Sequence, residues 1–200
     1  MTKLNINSLC LAIIFAGSVY TAKGQKYVED VLTHKVTVNQ VDRSIVAYVK
    51  PVKQVLLDTD KRYYWYAHNH INSTQGGFSG KLLNGSYQEF YSGKQLKESG
   101  FLYKGLKNKV WKNWDEKGTL KDDYTWKSGR MNGVYHKYDS TGKVLEAGKY
   151  KNDLLQGKQT RYTADGVKEV LYKKGKITER KKLRMPGFIR NIFHKKPKTM

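Results

Sequence analysis

The sequence predicts an all-β fold: an elongated single-layer antiparallel sheet of tandem 24-residue β-hairpin repeats, with a short N-terminal β cap and a short C-terminal helix or flexible basic tail. Three observations lead there. The chain is rich in rings, with 15 Tyr and 4 Trp, and poor in Pro, with 3, a mixture that suits pleated β surface better than helix or disorder. Aromatic residues recur in columns when the chain is read at an offset of 24. Turn-forming dipeptides fall between those columns at the same phase.

The first aromatic column reads Tyr63, Tyr87, Trp111 and Tyr135 and then fails at Gln159, while the second reads Tyr66, Phe90, Trp114, Tyr138 and Tyr162 without a miss. A third follows in the second half of each unit: Phe78, Trp126 and Tyr150 in phase, with Tyr103 one residue late and Tyr172 two residues early, slips that small insertions or deletions at turns would cause. Ser92-Gly93, Lys117-Gly118, Thr141-Gly142 and Asp165-Gly166 separate the aromatic run from a following extended run, as a short hairpin loop does. Unit ends are alike as well, Leu82-Leu83-Asn84-Gly85 matching Leu154-Leu155-Gln156-Gly157. Each unit therefore reads as strand, tight turn, strand, Gly-containing turn. The units span 61–84, 85–108, 109–132, 133–156 and 157–180.

Rings three apart, such as Tyr87 and Phe90, point to opposite faces of a strand unless a bulge intervenes, so both faces of the sheet should carry ladders. One hairpin cannot bury such rings. Stacking units side by side lines each column into cross-strand neighbours worth roughly 0.2–1 kcal/mol per pair beyond alanine, which makes stability cooperative between units.

At the N-terminus, Lys3, an apolar run from Leu9 through Val19, and Ala22-Lys23-Gly24 before Gln25 form a signal peptide over residues 1–24, with cleavage expected between Gly24 and Gln25. The protein is thus expected in the periplasm, on the outer-membrane surface or outside the cell. The lone Cys10 lies inside that segment and leaves no disulfide framework in the mature chain. Residues 25–60 are out of phase with the repeat, but Lys35-Val-Thr-Val-Asn and Ser44-Ile-Val-Ala-Tyr-Val suit short strands, a β cap over the first hairpin's open edge.

The formal charge of +21 is concentrated toward the C-terminus, where Glu179 is the only acid after Lys173. Within the tail, 181–200, Phe188, Ile189, Ile192 and Phe193 have the spacing of one helix face, with Arg190, Lys195 and Lys196 around them. That face suits an anionic bilayer surface, and it equally suits packing on the open end of the sheet; a flexible tail is the third option.

Motifs for chemistry are sparse. His68 and His70 would face one side of a strand, but no Cys, Asp or Glu nearby completes a metal site, and a hydrogen-bonded polar loop is the ordinary reading. The acids, Asp123 among them, sit mainly at turns or beside lysines. There is no nucleophile elbow, no phosphate-cradling glycine loop and no zinc-protease pair, so the chain reads as a non-enzyme without cofactor or metal. Tyr and Trp interleaved with Lys could stack on nucleobases, which an exported chain rarely meets, or on sugar rings.

The pattern Gly133-Val-Tyr135-His-Lys-Tyr138-Asp-Ser-Thr-Gly142-Lys-Val-Leu-Glu-Ala-Gly148-Lys-Tyr150 resembles the bacterial MORN-repeat variant, and similar chains carry the label YwqK-like antitoxin. The resemblance runs from Lys61 to about Arg180, and departs at Gln159, where an aromatic is expected, and at Lys109, where Gly would be. It implies a fold of MORN-like hairpins reused as an interaction surface. The function expected is a non-catalytic extracytoplasmic scaffold that binds a protein or envelope component; the alternatives are a peripheral membrane protein acting through its tail, and an antitoxin-type partner of a toxin.

Overall fold

The structure, a computed structural model, describes residues 33–52 and 54–179. The signal segment and the tail face of Phe188, Ile189, Ile192 and Phe193 lie outside the described residues.

Fourteen strands and no helix make up the described residues: β1 (His34–Asn39), β2 (Arg43–Val49), β3 (Arg62–Ala67), β4 (His70–Gln75), β5 (Lys81–Tyr91), β6 (Leu96–Tyr103), β7 (Leu106–Trp114), β8 (Leu120–Lys127), β9 (Arg130–Tyr138), β10 (Val144–Lys151), β11 (Leu154–Leu155), β12 (Gly157–Thr163), β13 (Gly166–Lys173) and β14 (Lys176–Ile177). They form one open antiparallel sheet, in the order β1-β2-β5-β6-β7-β8-β9-β10-β12-β13-β14. The predicted elongated sheet of hairpins is the fold.

Two kinds of turn alternate along the ribbon, and together they set the period. At the tips of β7–β8 and β9–β10 a five-residue loop closes with Asp115 N–H donating to Thr119 O (3.0 Å) and Asp139 N–H to Lys143 O (2.9 Å). The carboxylates of Asp115 and Asp139 each also accept two backbone N–H groups from within the loop, the role expected of acids at turns. In the β5–β6 tip the left-handed position is filled by Lys94 (φ 66°), not by Gly93, so the glycine seen in sequence stands one residue early. Successive hairpins are joined by two-residue turns at Lys104-Gly105, Ser128-Gly129 and Asn152-Asp153, with both central residues left-handed. That geometry matches the right-handed twist of the flanking strands and keeps the next hairpin in the sheet.

The segment 61–84 takes a different place from the later units. Its strands β3 and β4 close on His68-Asn69, but five residues, Gly76 to Gly80, separate β4 from β5. With that slack the hairpin leaves the ribbon and meets β5 only at Trp65↔Leu82 and Tyr66↔Lys81. It is β2 that pairs with β5, from Arg43↔Tyr91 to Val49↔Leu83, so the N-terminal cap covers the edge of the second unit rather than of the first. The displaced hairpin lays Tyr64, Tyr66 and Ile71 over the core of Ile45, Ala47, Val49, Leu83, Tyr87, Leu102 and Trp111.

The 24-residue repeat has a further structural mark. Gly85, Lys109, Gly133 and Gly157 all carry positive φ, and their cross-strand partners are Leu102, Trp126, Tyr150 and Tyr172. These four partners are the true third column. Leu102, wholly buried, holds the position in phase, whereas Tyr103 beside it is half exposed. Tyr172 comes two residues early because Thr163 pairs directly with Gly166, which makes the last hairpin's loop shorter.

Beside the bulges, the first column lies over glycine. Tyr87 pairs with Gly100 and Tyr135 with Gly148, and the indole of Trp111 covers Gly100 so closely that a Cβ there would collide with it. Rings laid over strand glycines recover the packing that the missing side chain forfeits. Two opposite outcomes follow. Gly100→Ala should lower unfolding free energy by about 1–3 kcal/mol through overpacking against Trp111. Lys109→Gly should raise it by about 0.5–1 kcal/mol, because an L-residue held at φ 61° pays a steric penalty that glycine does not. Urea denaturation of the two variants checks both signs.

Candidate ligand-binding face

Strand alternation divides the ribbon's side chains between two faces of different character. On the face that carries the core, Tyr87 and Glu89 point the same way, as do Trp111 and Asn113, Tyr135 and Lys137, and Gln159 and Arg161. A row of rings ending at Gln159 and a polar, mostly charged row therefore run side by side across the strands. The rows satisfy each other: Tyr87 Oη donates to Glu89 Oε2 (2.8 Å), and Lys97 Nζ donates to the other carboxylate oxygen (2.8 Å). Two periods on, Tyr135 Oη donates to Glu146 Oε1 (2.8 Å), with Arg161 Nε on Oε2 (2.7 Å) and Lys137 Nζ at 3.2 Å.

Lys107 is held in the same way. Its Nζ donates to Glu98 (2.6 Å) and stands 3.9 Å from the Trp111 ring centroid, with Tyr64 and Trp126 at 5.7 and 5.4 Å. An ammonium enclosed by three π faces and a carboxylate is a fastener inside the fold rather than a site for an outside ligand. Beyond the cover of β3–β4, Tyr124 and Tyr135 stack with centroids 5.3 Å apart and planes 4° from parallel, and Tyr150 leans on Tyr135 at 5.0 Å. Tyr63, Phe78, Tyr87, Trp111, Trp126, Tyr135 and Tyr150 are thus spent on packing.

Gln159 holds the position where the first column breaks. It is buried, its Nε2 donates to Tyr135 Oη (2.8 Å), and its Oε1 has no hydrogen-bond partner among the described residues. Such an orphaned carbonyl costs free energy that an apolar side chain of similar length avoids. Gln159→Met should leave stability unchanged or raise it by up to about 1 kcal/mol, read as the thermal midpoint.

The opposite face presents the second column. Phe90, Trp114, Tyr138 and Tyr162 sit at equivalent places near the hairpin tips, opposite Leu96, Leu120, Val144 and Val167. Tyr66 belongs to the column in sequence but is carried away on β3. Further along the same strands Val110 and Val134 are about half exposed, as are Tyr162 and Val167. No described strand covers this side of the ribbon from β7 to β13.

Within that face lies a cluster that sequence reasoning missed. Asp123, buried in mid-strand and not at a turn, accepts from Tyr138 Oη (2.6 Å) and faces His136 Nδ1 (3.0 Å). It is brought there by the register Asp123↔His136. The cue available in sequence was the hairpin pairing itself: once Tyr124 is set opposite Tyr135, Asp123 must fall opposite His136. The carboxylate fixes the imidazole's orientation and leaves Nε2 unengaged by described residues. His68, by contrast, sits in a turn with φ 48°, and His70 Nδ1 meets His68 O at 2.7 Å, so the two do not form a strand-face pair. Among the described residues no three His, Cys, Asp or Glu side chains gather where they could hold a metal ion.

Compared with known protein families, with characterised proteins and with solved structures, the chain matches none.

The Tyr–acid pairs make stability depend on pH at both ends. Burial pushes the Glu89 carboxyl up, but Lys97 and Tyr87 outweigh it and hold the group below its ordinary 4.5; Glu146 is lowered in the same way by Tyr135, Lys137 and Arg161. Burial pushes Tyr64, Tyr124 and Tyr138 from 10.0 up to about 12, Tyr138 with help from Asp123, and Tyr87 and Tyr135 move the same way. A lowered carboxylate stabilises the fold above its unfolded value and loses that contribution as pH falls; a raised phenol stabilises below 10 and loses it as pH rises toward 12. Thermal midpoints should be level between these limits, fall below about pH 4.5, and fall again above about pH 10.

Proposed function

We propose that this protein is a non-catalytic extracytoplasmic binding scaffold, and that the uncovered face from β7 to β13 is its working surface. One observation carries the reading: on the core face rings and charges are consumed by one another, whereas on the opposite face Val110, Val134 and Tyr162 are about half exposed and the rings of Phe90, Trp114 and Tyr138 are partly so. A periodic, partly exposed apolar row with polar margins is the form of an interaction surface. The export signal expected in residues 1–24 is in keeping with a partner outside the cytoplasm, and the resemblance to MORN-type repeats read from the sequence is in keeping with a surface of this kind.

The test is capture of envelope material by the immobilised full chain, compared with Val110→Glu/Val134→Glu and with Leu154→Glu at the opposite margin. All three positions are about half exposed, so folding should be preserved. Loss of the captured species with the double variant and retention with Leu154→Glu is the expected result. Equal capture by all three chains removes the assignment of this face.

A further inference from the structure

We propose that the occupant of this face is a single linear, β-1,4-linked glycan chain bearing carboxylates, lying across the strands along Trp114, Tyr138 and Tyr162 and reaching Phe90 on the adjoining β5. The inference rests on the binding role proposed above and names its ligand class.

Spacing is the first argument. The four rings stand on β5, β7, β9 and β12, alternate strands of the ribbon. Neighbouring strands are about 4.8 Å apart, so successive rings are about 9.6 Å apart and the row covers about 29 Å. That step is close to the length of one disaccharide in an extended β-1,4-linked chain, in which every second sugar turns the same face. An extended peptide laid along the row would instead repeat every two residues, about 6.8 Å, and fall out of step after one ring. The C–H face of a pyranose packs on an aromatic ring as other apolar groups do, so each ring would seat one sugar of each disaccharide.

Polar groups recur with the same step. Two residues before each ring, on the same face, stand Gln88, Lys112, His136 and Thr160. Each disaccharide would thus meet one ring and one hydrogen-bonding side chain, the pairing of apolar platform and placed polar group that small-molecule sites use. His136 is the best prepared of these, since Asp123 holds its Nδ1 and turns Nε2 outward to a sugar hydroxyl or carboxylate.

Charge decides for an acidic chain over a neutral one. On the tip side of the row the exposed Lys94, Lys117 and Lys143 recur from unit to unit, and Lys112 adds a cation on the strand side. The carboxylates around them are mostly committed: Asp115 and Asp139 to backbone N–H groups, Asp123 to His136 and Tyr138, with Glu116 exposed beside Lys117. The sheet's twist, about 20–25° per strand, turns successive rings by about 45°, which suits one flexible chain and not the flat face of a crystalline polymer.

The experiment is retardation of the full chain in native gels cast with carboxymethylcellulose or with hydroxyethylcellulose, which share a β-1,4 backbone and differ in charge. The expected result is retardation in the acidic polymer that weakens about tenfold in Trp114→Ala/Tyr138→Ala, and a preference over the neutral polymer that disappears in Lys112→Gln/Lys117→Gln. Tyr162→Ala, half exposed, gives the same direction of effect if Trp114→Ala/Tyr138→Ala lowers the thermal midpoint. Unchanged retardation of the ring variants, as attraction to the basic tail alone would produce, overturns the proposal. So does equal affinity for both polymers, or tighter, equally ring-dependent binding of a single-stranded oligonucleotide. If neither polymer binds while envelope capture still depends on Val110 and Val134, the glycan falls and the binding role stands; if capture is independent of the face as well, both fall.

Discussion

The rest of this structure depends on one constraint: a ribbon one sheet thick has no second layer to bury its rings, so each ring must be buried by its neighbours within the sheet. The 24-residue period is the solution. A bulge residue with positive φ in the first strand of every unit faces a large side chain across the ladder, Leu102, Trp126, Tyr150 or Tyr172. Next to it the first-column ring folds down over a glycine or over another ring. Burial of a Trp or Tyr is thereby achieved inside a single layer, at roughly 1.5–3 kcal/mol for each large side chain removed from water.

The two ends of the ribbon meet this constraint differently. Toward the N-terminus, the displaced β3–β4 hairpin supplies what amounts to a local second layer, and the core of Tyr87, Leu102 and Trp111 forms beneath it. Toward the C-terminus there is no such cover, and Tyr124, Tyr135 and Tyr150 shield one another. Gln159 ends the ring series by hydrogen-bonding the last of them. A Tyr–carboxylate pair recurs in both halves, and each carboxylate is held by basic neighbours that partly offset the cost of its burial.

The two faces differ for the same reason, and the proposed binding role follows that difference. Because the first-column rings are packed on one side, the other side of each strand carries only a lighter packing demand, the Asp123–His136–Tyr138 cluster among it, and its partly exposed side chains repeat at the unit's step. Under the proposed binding role, a repeat fold adopted for stability would serve as a ruler for a periodic ligand.

The sequence by itself determined the period, the strand–turn chemistry and the class of fold, since ring columns and turn dipeptides are local signals that survive in any tertiary setting. It also carried the odd residues, Gln159 and Lys109, which the structure places at a buried row end and at a left-handed bulge. Only the tertiary structure decided that unit 61–84 leaves the ribbon, because five residues of slack before β5 permit it without requiring it. It alone decided that Leu102, not Tyr103, fills the third column, and that Asp123 meets His136, because both follow from cross-strand register. Register is set by bulges and loop lengths acting over several strands, and a one-residue slip moves every side chain to the other face.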